Sequence, residues 1–237
     1  FGTWQAVARD VDDDGATEIC GIPAITGEGI HIWNKQPEAS FERRYHHRFL
    51  DREKDWTGTD ILAVDVDGDG YEDVVCAAWW YQAPRPGEDP VWPRHRVPEV
   101  YQIINAYDLD GDGRMELIGT RPRATDQEDW YAKLSSDLVW LKPVAPRNGE
   151  WEIHDIGTLS AGKGVHGWPH GSTVAPVLPG GRAALITRGS GPLELFEVPG
   201  SPDALRRRWP KRLLSEVVAT DGTEATIGDI AAAMVPV

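Results

Sequence analysis

The chain has 237 residues, and its 38 acidic residues against 24 basic ones give a formal net charge of −14. This acidity argues against nucleic acid and anionic membranes as partners and favours cations. No run of about 18 apolar residues occurs, which excludes a transmembrane helix, and 25 Gly, 18 Pro and 11 Trp predict many short strands and turns.

A repeat organises the sequence from one end to the other. Three similar acidic segments begin at Asp10, Asp65 and Asp108. A degenerate copy that has lost every carboxylate begins at Pro176, and a fifth copy is indicated near Asp229. The mean spacing is about 55 residues, which is close to the length of a β-propeller blade.

Each repeat contains four segments that predict strands. In the second repeat, an apolar run at 73–76 follows the acidic loop, and an aromatic segment at 79–81 and an aromatic and basic segment at 92–95 come next. An apolar run at 103–106 then leads into the third acidic loop. This pattern predicts an all-β fold, and more narrowly a β-propeller of four-stranded blades. We expect four to five repeats over residues 1–237, with further blades or domains in a longer chain.

Other residues of the repeat are predicted to be structural. The tryptophans in register with it are expected in the core: Trp33, Trp79, Trp80, Trp92, Trp140 and Trp151. The only two cysteines, Cys20 and Cys76, lie in apolar runs and are predicted to be buried free thiols, with a disulfide between them as the alternative. Residues 204–208 are the one segment expected to form a helical turn.

The three acidic segments predict calcium sites. Asp at positions 1, 3 and 5 places three carboxylates on alternate residues, and Gly at position 6 permits the sharp turn that brings them onto one hard cation. A carbonyl at position 7 and a carboxylate at position 9 complete the oxygen ligands. The predicted ligands of about three ions are Asp10, Asp12, Asp14, Ala16, Glu18, Asp65, Asp67, Asp69, Tyr71, Asp73, Asp108, Asp110, Asp112, Arg114 and Glu116.

An EF-hand is the main competing explanation of these loops. It requires a bidentate Glu at position 12, whereas the three copies have Gly21, Cys76 and Gly119 there. The residues that follow each loop are also apolar in the manner of a strand. We therefore predict hairpin loops that bind calcium, and the alternative is an acidic, solvated turn without a metal.

The loop pattern also resembles a known family. Asp-x-Asp-x-Asp-Gly-x-x-(Asp/Glu)-(Ile/Val/Leu), followed by a Trp-rich segment, is similar to FG-GAP/VCBS-type repeats over about residues 5–230. The resemblance implies calcium-loop blades, as in integrin α-subunit propellers and many secreted bacterial proteins. The Trp-rich spacing between Thr57 and Tyr81 looks most like the propeller of aldos-2-ulose dehydratase-like proteins. That likeness implies seven blades and lyase or dehydratase chemistry on sugars.

A ligand site is predicted where loops lead into the innermost strand of each blade, because these loops surround the channel of a propeller. His166 and His170 are spaced to share a transition metal or to act as general acid and base, with Tyr101 as a phenolic acid or base. The alternatives are histidines that hydrogen-bond within a turn and a tyrosine that packs. The candidate ligand-binding residues are Trp56, Trp130, Trp168 and Asp221.

Three functions fit these features. The favoured one is a calcium-stabilised, secreted propeller that recognises carbohydrate or a protein surface. The others are a carbon–oxygen lyase, either a dehydratase or a polysaccharide lyase, acting on oxidised sugars or uronates, and a purely structural repeat segment. Because extracellular loops of this kind are tuned to millimolar calcium, we expect an extracellular or periplasmic location. No Gly-x-Ser-x-Gly, P-loop or dinucleotide fingerprint supports a serine hydrolase, a kinase or a nicotinamide-dependent enzyme.

Overall fold

The protein is represented here by a computed structural model. It describes residues 3–11, 15, 17–23, 29–35, 45–52, 60–85, 91–122, 136–160, 171–188 and 192–215. In these ranges the chain forms sixteen β-strands, arranged in four sheets of four antiparallel strands. The predicted all-β class and the predicted four strands per repeat are therefore confirmed, while the closed propeller stays a prediction.

The first two sheets follow one another along the chain. The first contains β1 (Thr3–Arg9), β2 (Glu18–Pro23), β3 (Ile30–Lys35) and β4 (Tyr45–Asp51). The second contains β5 (Ile61–Val64), β6 (Asp73–Cys76), β7 (Trp79–Tyr81) and β8 (Arg94–Arg96). In both sheets each strand lies beside the next strand in sequence, so each sheet is a simple meander whose first connection is an acidic loop.

The other two sheets have the same topology. The third contains β9 (Gln102–Tyr107), β10 (Glu116–Pro122), β11 (Ser136–Ala145) and β12 (Glu150–Thr158). The fourth contains β13 (Ser172–Leu178), β14 (Arg182–Thr187), β15 (Leu193–Glu197) and β16 (Lys211–Ser215). The third acidic loop joins β9 to β10, and the degenerate fourth copy is a short 3-10 turn, Pro179–Gly181, between β13 and β14.

The chain divides into two compact units. One consists of Phe1–Ala106 with Pro143–Glu152, and the other of Tyr107–Lys142 with Ile153–Val237. The second acidic loop and its sheet belong to the first unit, and the third acidic loop belongs to the second unit. The indicated fifth repeat near Asp229 lies outside the described residues.

The first and second sheets share one hydrophobic core. Cys20 and Ile22 alternate along β2, as the two-residue period of a strand requires, and both are fully buried. They belong to one buried cluster with Val74 and Cys76 of β6. Both cysteines are buried and neither forms a disulfide, so the prediction of two buried thiols is confirmed.

In the second unit, two buried tryptophans donate hydrogen bonds to one backbone oxygen. Trp140 on β11 is 3% exposed, and its indole N–H donates to the backbone oxygen of Leu205 at 2.9 Å. The indole N–H of Trp209 donates to the same oxygen at 3.1 Å. Leu205 ends the short helix α1 (Pro202–Leu205). The sequence predicted this helical turn at residues 204–208, so the observed turn begins two residues earlier. Among the described residues, no helix is long and apolar enough to cross a bilayer.

Candidate metal centre

The backbone of the three acidic loops is organised by the first Asp of each loop. In every copy the N–H of the glycine at position 6 donates to the position 1 carboxylate, with N···O distances of 3.0, 2.9 and 3.0 Å. These glycines have φ values of 84°, 94° and 86°, a left-handed conformation that side chains with a Cβ rarely adopt. The residues involved are Gly15 with Asp10, Gly70 with Asp65, and Gly113 with Asp108. The turn that the sequence predicted at position 6 is therefore present.

The position 9 carboxylate is the second feature that the loops share. Glu18, Asp73 and Glu116 each begin the strand after the loop, and each is fully buried. Each accepts the backbone N–H of the residue at position 2, at 3.2, 3.0 and 2.8 Å respectively. A carboxylate without exposure to water is costly unless it is hydrogen-bonded and paired with positive charge. Each loop thus brings a buried negative group to its base.

In the second loop, three carboxylates converge. Oxygen atoms of Asp65, Asp67 and Asp73 all lie within 4.8 Å of one another. Both oxygens of Asp73 also accept backbone N–H groups, because Oδ1 accepts from Ala83 at 2.8 Å and Oδ2 accepts from Val66 at 3.0 Å. Backbone hydrogen bonds therefore hold Asp73 in place at the buried end of the cluster, and the carboxylates of Asp65 and Asp67 lie beside it.

The third loop repeats this convergence with a longer side chain at position 9. Oxygen atoms of Asp108, Asp110 and Glu116 lie within 4.8 Å of one another. The Oε2 atom of Glu116 accepts the N–H of Leu109, whereas its buried Oε1 atom makes no hydrogen bond among the described residues and lies 3.5 Å from the ammonium group of Lys142. A buried carboxylate oxygen without a hydrogen bond, beside other acidic groups, is a ligand atom that a metal cation would satisfy.

The first loop is described only in part. Its Asp10 and Glu18 make the same backbone hydrogen bonds as their counterparts in the other loops. Asp12, Asp14 and Ala16, which the sequence predicts as further ligands, lie outside the described residues. Coordination by the backbone carbonyls at position 7, Tyr71 and Arg114 in the other two loops, also stays a prediction.

Several basic side chains contact the loops, and the sequence analysis did not anticipate them; besides Arg147 and Lys142, Arg85 lies 3.7 Å from Asp69. Near the second loop, Arg147 donates from Nε to Asp67 at 2.6 Å and from Nη2 to Asp69 at 3.0 Å. In the third loop, the ammonium group of Lys142 donates to Asp110 and, at 2.5 Å, to Asp112. Arg147 and Lys142 both lie far along the chain from their partners, so local spacing gives no indication of the contact.

Electrostatics differ between the buried and the accessible members of each cluster. Burial raises the pKa of Asp73 to about 8, an effect that hydrogen bonds from Ala83 and Val66 oppose and that the neighbouring carboxylates reinforce. Burial also raises the pKa of Glu116. Burial lowers the pKa of Lys142, but its hydrogen bonds to Asp110 and Asp112 outweigh this and raise it above its usual value. A divalent cation would favour the ionised form of both buried acids.

Of the predicted catalytic and ligand-binding residues, the structure describes only Tyr101. Tyr101 is half-buried and directly precedes β9. Next to it, the buried Gln102 donates a hydrogen bond to the buried Asp60, a pair that the sequence analysis missed. The other candidates lie outside the described residues: Trp56, Trp130, His166, Trp168, His170 and Asp221.

No protein-family model matches the chain, and no curated protein matches it. The likeness to FG-GAP/VCBS-type repeats therefore depends on the loop residues themselves. What the geometry offers is carboxylate clusters suited to a hard cation.

Proposed function

We propose that the acidic loops bind calcium and that the bound ions stabilise the hairpins of a repeat scaffold. The observation that carries this proposal is the convergence of Asp108 and Asp110 on the fully buried Glu116, whose Oε1 atom makes no hydrogen bond and lies 3.5 Å from the ammonium group of Lys142. A loop that served only as a solvated turn would have no reason to gather acidic side chains around a buried carboxylate, because that arrangement is costly. A cation between Asp108, Asp110 and Glu116 would remove the cost.

The donor set favours calcium over other metals. Both described clusters consist of carboxylates alone, with neither histidine nor cysteine among their members. Zinc, copper and iron prefer nitrogen or sulfur ligands, whereas calcium takes six to eight oxygens in flexible geometry. Magnesium demands a tighter octahedron and keeps more of its water. Up to four carboxylates and one carbonyl per loop, with water completing the shell, suit calcium best.

Calcium bound in these loops would act on stability. Each loop connects the first two strands of a sheet, and the carboxylates converge only when that hairpin is folded. The unfolded chain has no such arrangement, so the free energy of binding adds to the free energy of folding. The ions would thus stabilise the hairpin formed by the first two strands of each of the first three sheets.

Calorimetric titration of the metal-free protein with calcium tests this proposal. We expect about three sites, and Asp67→Ala should remove the site in the second loop. Asp203→Asn is the matched control, since Asp203 is exposed on α1, in the fourth repeat, which has no acidic loop, and its substitution also removes one negative charge. Absence of calcium binding, or binding unaffected by Asp67→Ala, would overturn the proposal.

The wider role follows from the resemblance and remains part of the proposal. A calcium-stabilised propeller of FG-GAP/VCBS type, exported from the cell, would display carbohydrate- or protein-binding loops on a rigid scaffold. The four meandering sheets are compatible with such blades. A carbon–oxygen lyase that acts on oxidised sugars or uronates through His166, His170 and Tyr101 is the alternative hypothesis, and of these residues the structure describes Tyr101.

A further inference from the structure

The ammonium group of Lys142 lies where a metal would lie in the third loop. Its Nζ atom donates to Asp110, is 2.5 Å from Asp112 Oδ2 and is 3.5 Å from the buried Oε1 of Glu116. These carboxylates occupy positions 3, 5 and 9 of the loop, which are three of its four acidic ligand positions. Lys142 therefore contacts both the accessible carboxylates of the cluster, Asp110 and Asp112, and its buried carboxylate, Glu116.

Arg147 relates differently to the second loop. It contacts the carboxylates at positions 3 and 5, Asp67 and Asp69, and its side chain is 45% exposed against 25% for Lys142. At position 9 of this loop, Asp73 has both oxygens bonded to backbone N–H groups instead. Asp67 itself is only 3% exposed, but Arg147 leaves the position 9 carboxylate of this loop to backbone donors, whereas Lys142 reaches the position 9 carboxylate of the third loop.

From this difference we infer that Lys142 is a built-in counter-ion that competes with the metal at the third loop, so that the second loop binds calcium more tightly than the third. The inference rests on the proposed calcium function. An ammonium group and a divalent cation cannot share the same carboxylate oxygens, because like charges at this distance repel strongly. Calcium must therefore displace Lys142 and break its charge-assisted hydrogen bonds before it binds.

Lys142 also supplies the third loop with a positive charge when the calcium concentration is low. With Lys142 in place, the negative charges of Asp110, Asp112 and Glu116 are partly neutralised without any metal. The third loop would then keep its shape at calcium concentrations that leave the second loop without its ion. Lys142 thereby raises the calcium concentration at which the third loop binds its ion.

Calcium titration of Lys142→Gln by calorimetry tests the inference. We expect the affinity of one site to rise by on the order of tenfold, because the lost charge-assisted hydrogen bonds no longer oppose binding. Adding Asp108→Asn should abolish this gain and so assign it to the third loop. With Lys142 present, the site that Asp65→Asn removes should bind calcium more tightly than the site that Asp108→Asn removes.

Lys211→Gln is the matched control. Lys211 pairs with the buried Glu194 at 2.5 Å and donates to Thr158 and Ser160, so its loss removes the same charge from a site without an acidic loop. This variant should leave every calcium affinity unchanged. If Lys142→Gln fails to fold, Lys142→Met, which keeps an apolar stem of similar length, repeats the titration.

The outcomes separate this inference from the proposed function. Calcium binding in the unsubstituted protein with no tightening in Lys142→Gln or Lys142→Met would overturn the role of Lys142 alone. An equal rise in affinity in Lys211→Gln would also overturn it, because the effect would then be one of net charge. Absence of calcium binding in every protein would overturn the proposed function itself.

Discussion

The second and third acidic loops are built alike and neutralised differently. Both bring a buried carboxylate to within 4.8 Å of the carboxylates at positions 1 and 3. In the second loop the buried Asp73 is held by two backbone N–H groups, and an exposed arginine covers the rim. In the third loop the longer Glu116 keeps one oxygen free of hydrogen bonds, and a lysine reaches towards it.

This contrast indicates which parts of a repeat are constrained. The position 1 and position 6 contacts that form the turn are the same in each copy, since the turn cannot form without them. The acidic residue at position 9 and the basic side chain that pairs with the loop differ between copies, because they only have to neutralise the charge of the cluster. Copies of one loop can therefore share a shape while differing in affinity for the same ion.

Removal of calcium should produce the largest effect. At calcium concentrations of 100 to 1,000 times the dissociation constant, each site contributes roughly 3–4 kcal/mol to the free energy of unfolding. We expect chelation to lower the melting temperature by on the order of 10 °C per site, as measured by differential scanning calorimetry. Asp65→Asn should reduce this calcium-dependent increment more than Asp108→Asn does. Equal reductions would remove the distinction between the two loops.

The pH dependence of the metal-free protein should be the next largest effect, and it tests the second loop. The folded state raises the pKa of Asp73 from 3.8 to about 8, so it binds this proton more tightly than the unfolded chain does. The contribution of Asp73 to stability is therefore fully present below pH 4 and is lost as the pH rises towards 8. Denaturant unfolding at several pH values should show this loss, and Asp73→Asn should abolish it.

Calcium should reverse that dependence. The ion requires an ionised Asp73, so its affinity for the second loop should increase as the pH rises towards 8. A difference in stability between the unsubstituted protein and Asp73→Asn that stays constant from pH 4 to pH 8 would contradict the assigned shift. The comparison between the two proteins cancels the titration of groups elsewhere in the chain.

Substitution of Arg147 should have the smallest effect. Arg147→Gln removes a cation from the second loop, but Arg147 pairs with the carboxylates at positions 3 and 5 only, and backbone N–H groups hold the carboxylate at position 9. Calorimetry should show a gain in calcium affinity of no more than about threefold, well below the gain in Lys142→Gln. A larger gain in Arg147→Gln than in Lys142→Gln would reverse the order of the two counter-ions.

The sequence predicted what is local and missed what depends on packing. The acidic loops, the left-handed glycines and the four-strand repeat follow from residue types at fixed short spacings, and the structure contains them. Lys142 and Arg147 lie 32 and 80 residues from their partners Asp110 and Asp67. Nothing in their immediate sequence marks them, because sheet register and turn geometry bring them to the loops. The hydrogen bond between Asp60 and Gln102 was missed for the same reason.

Anomalous X-ray diffraction from crystals grown in calcium tests the central claim most directly. The account predicts one calcium peak among Asp65, Asp67 and Asp73 and another among Asp108, Asp110 and Glu116, each about 2.3–2.6 Å from its oxygen ligands. Lys142 should be withdrawn from the third loop when that peak is present. Crystals in excess calcium with no peak in either cluster, and with Arg147 and Lys142 still bound to the loops, would contradict the account.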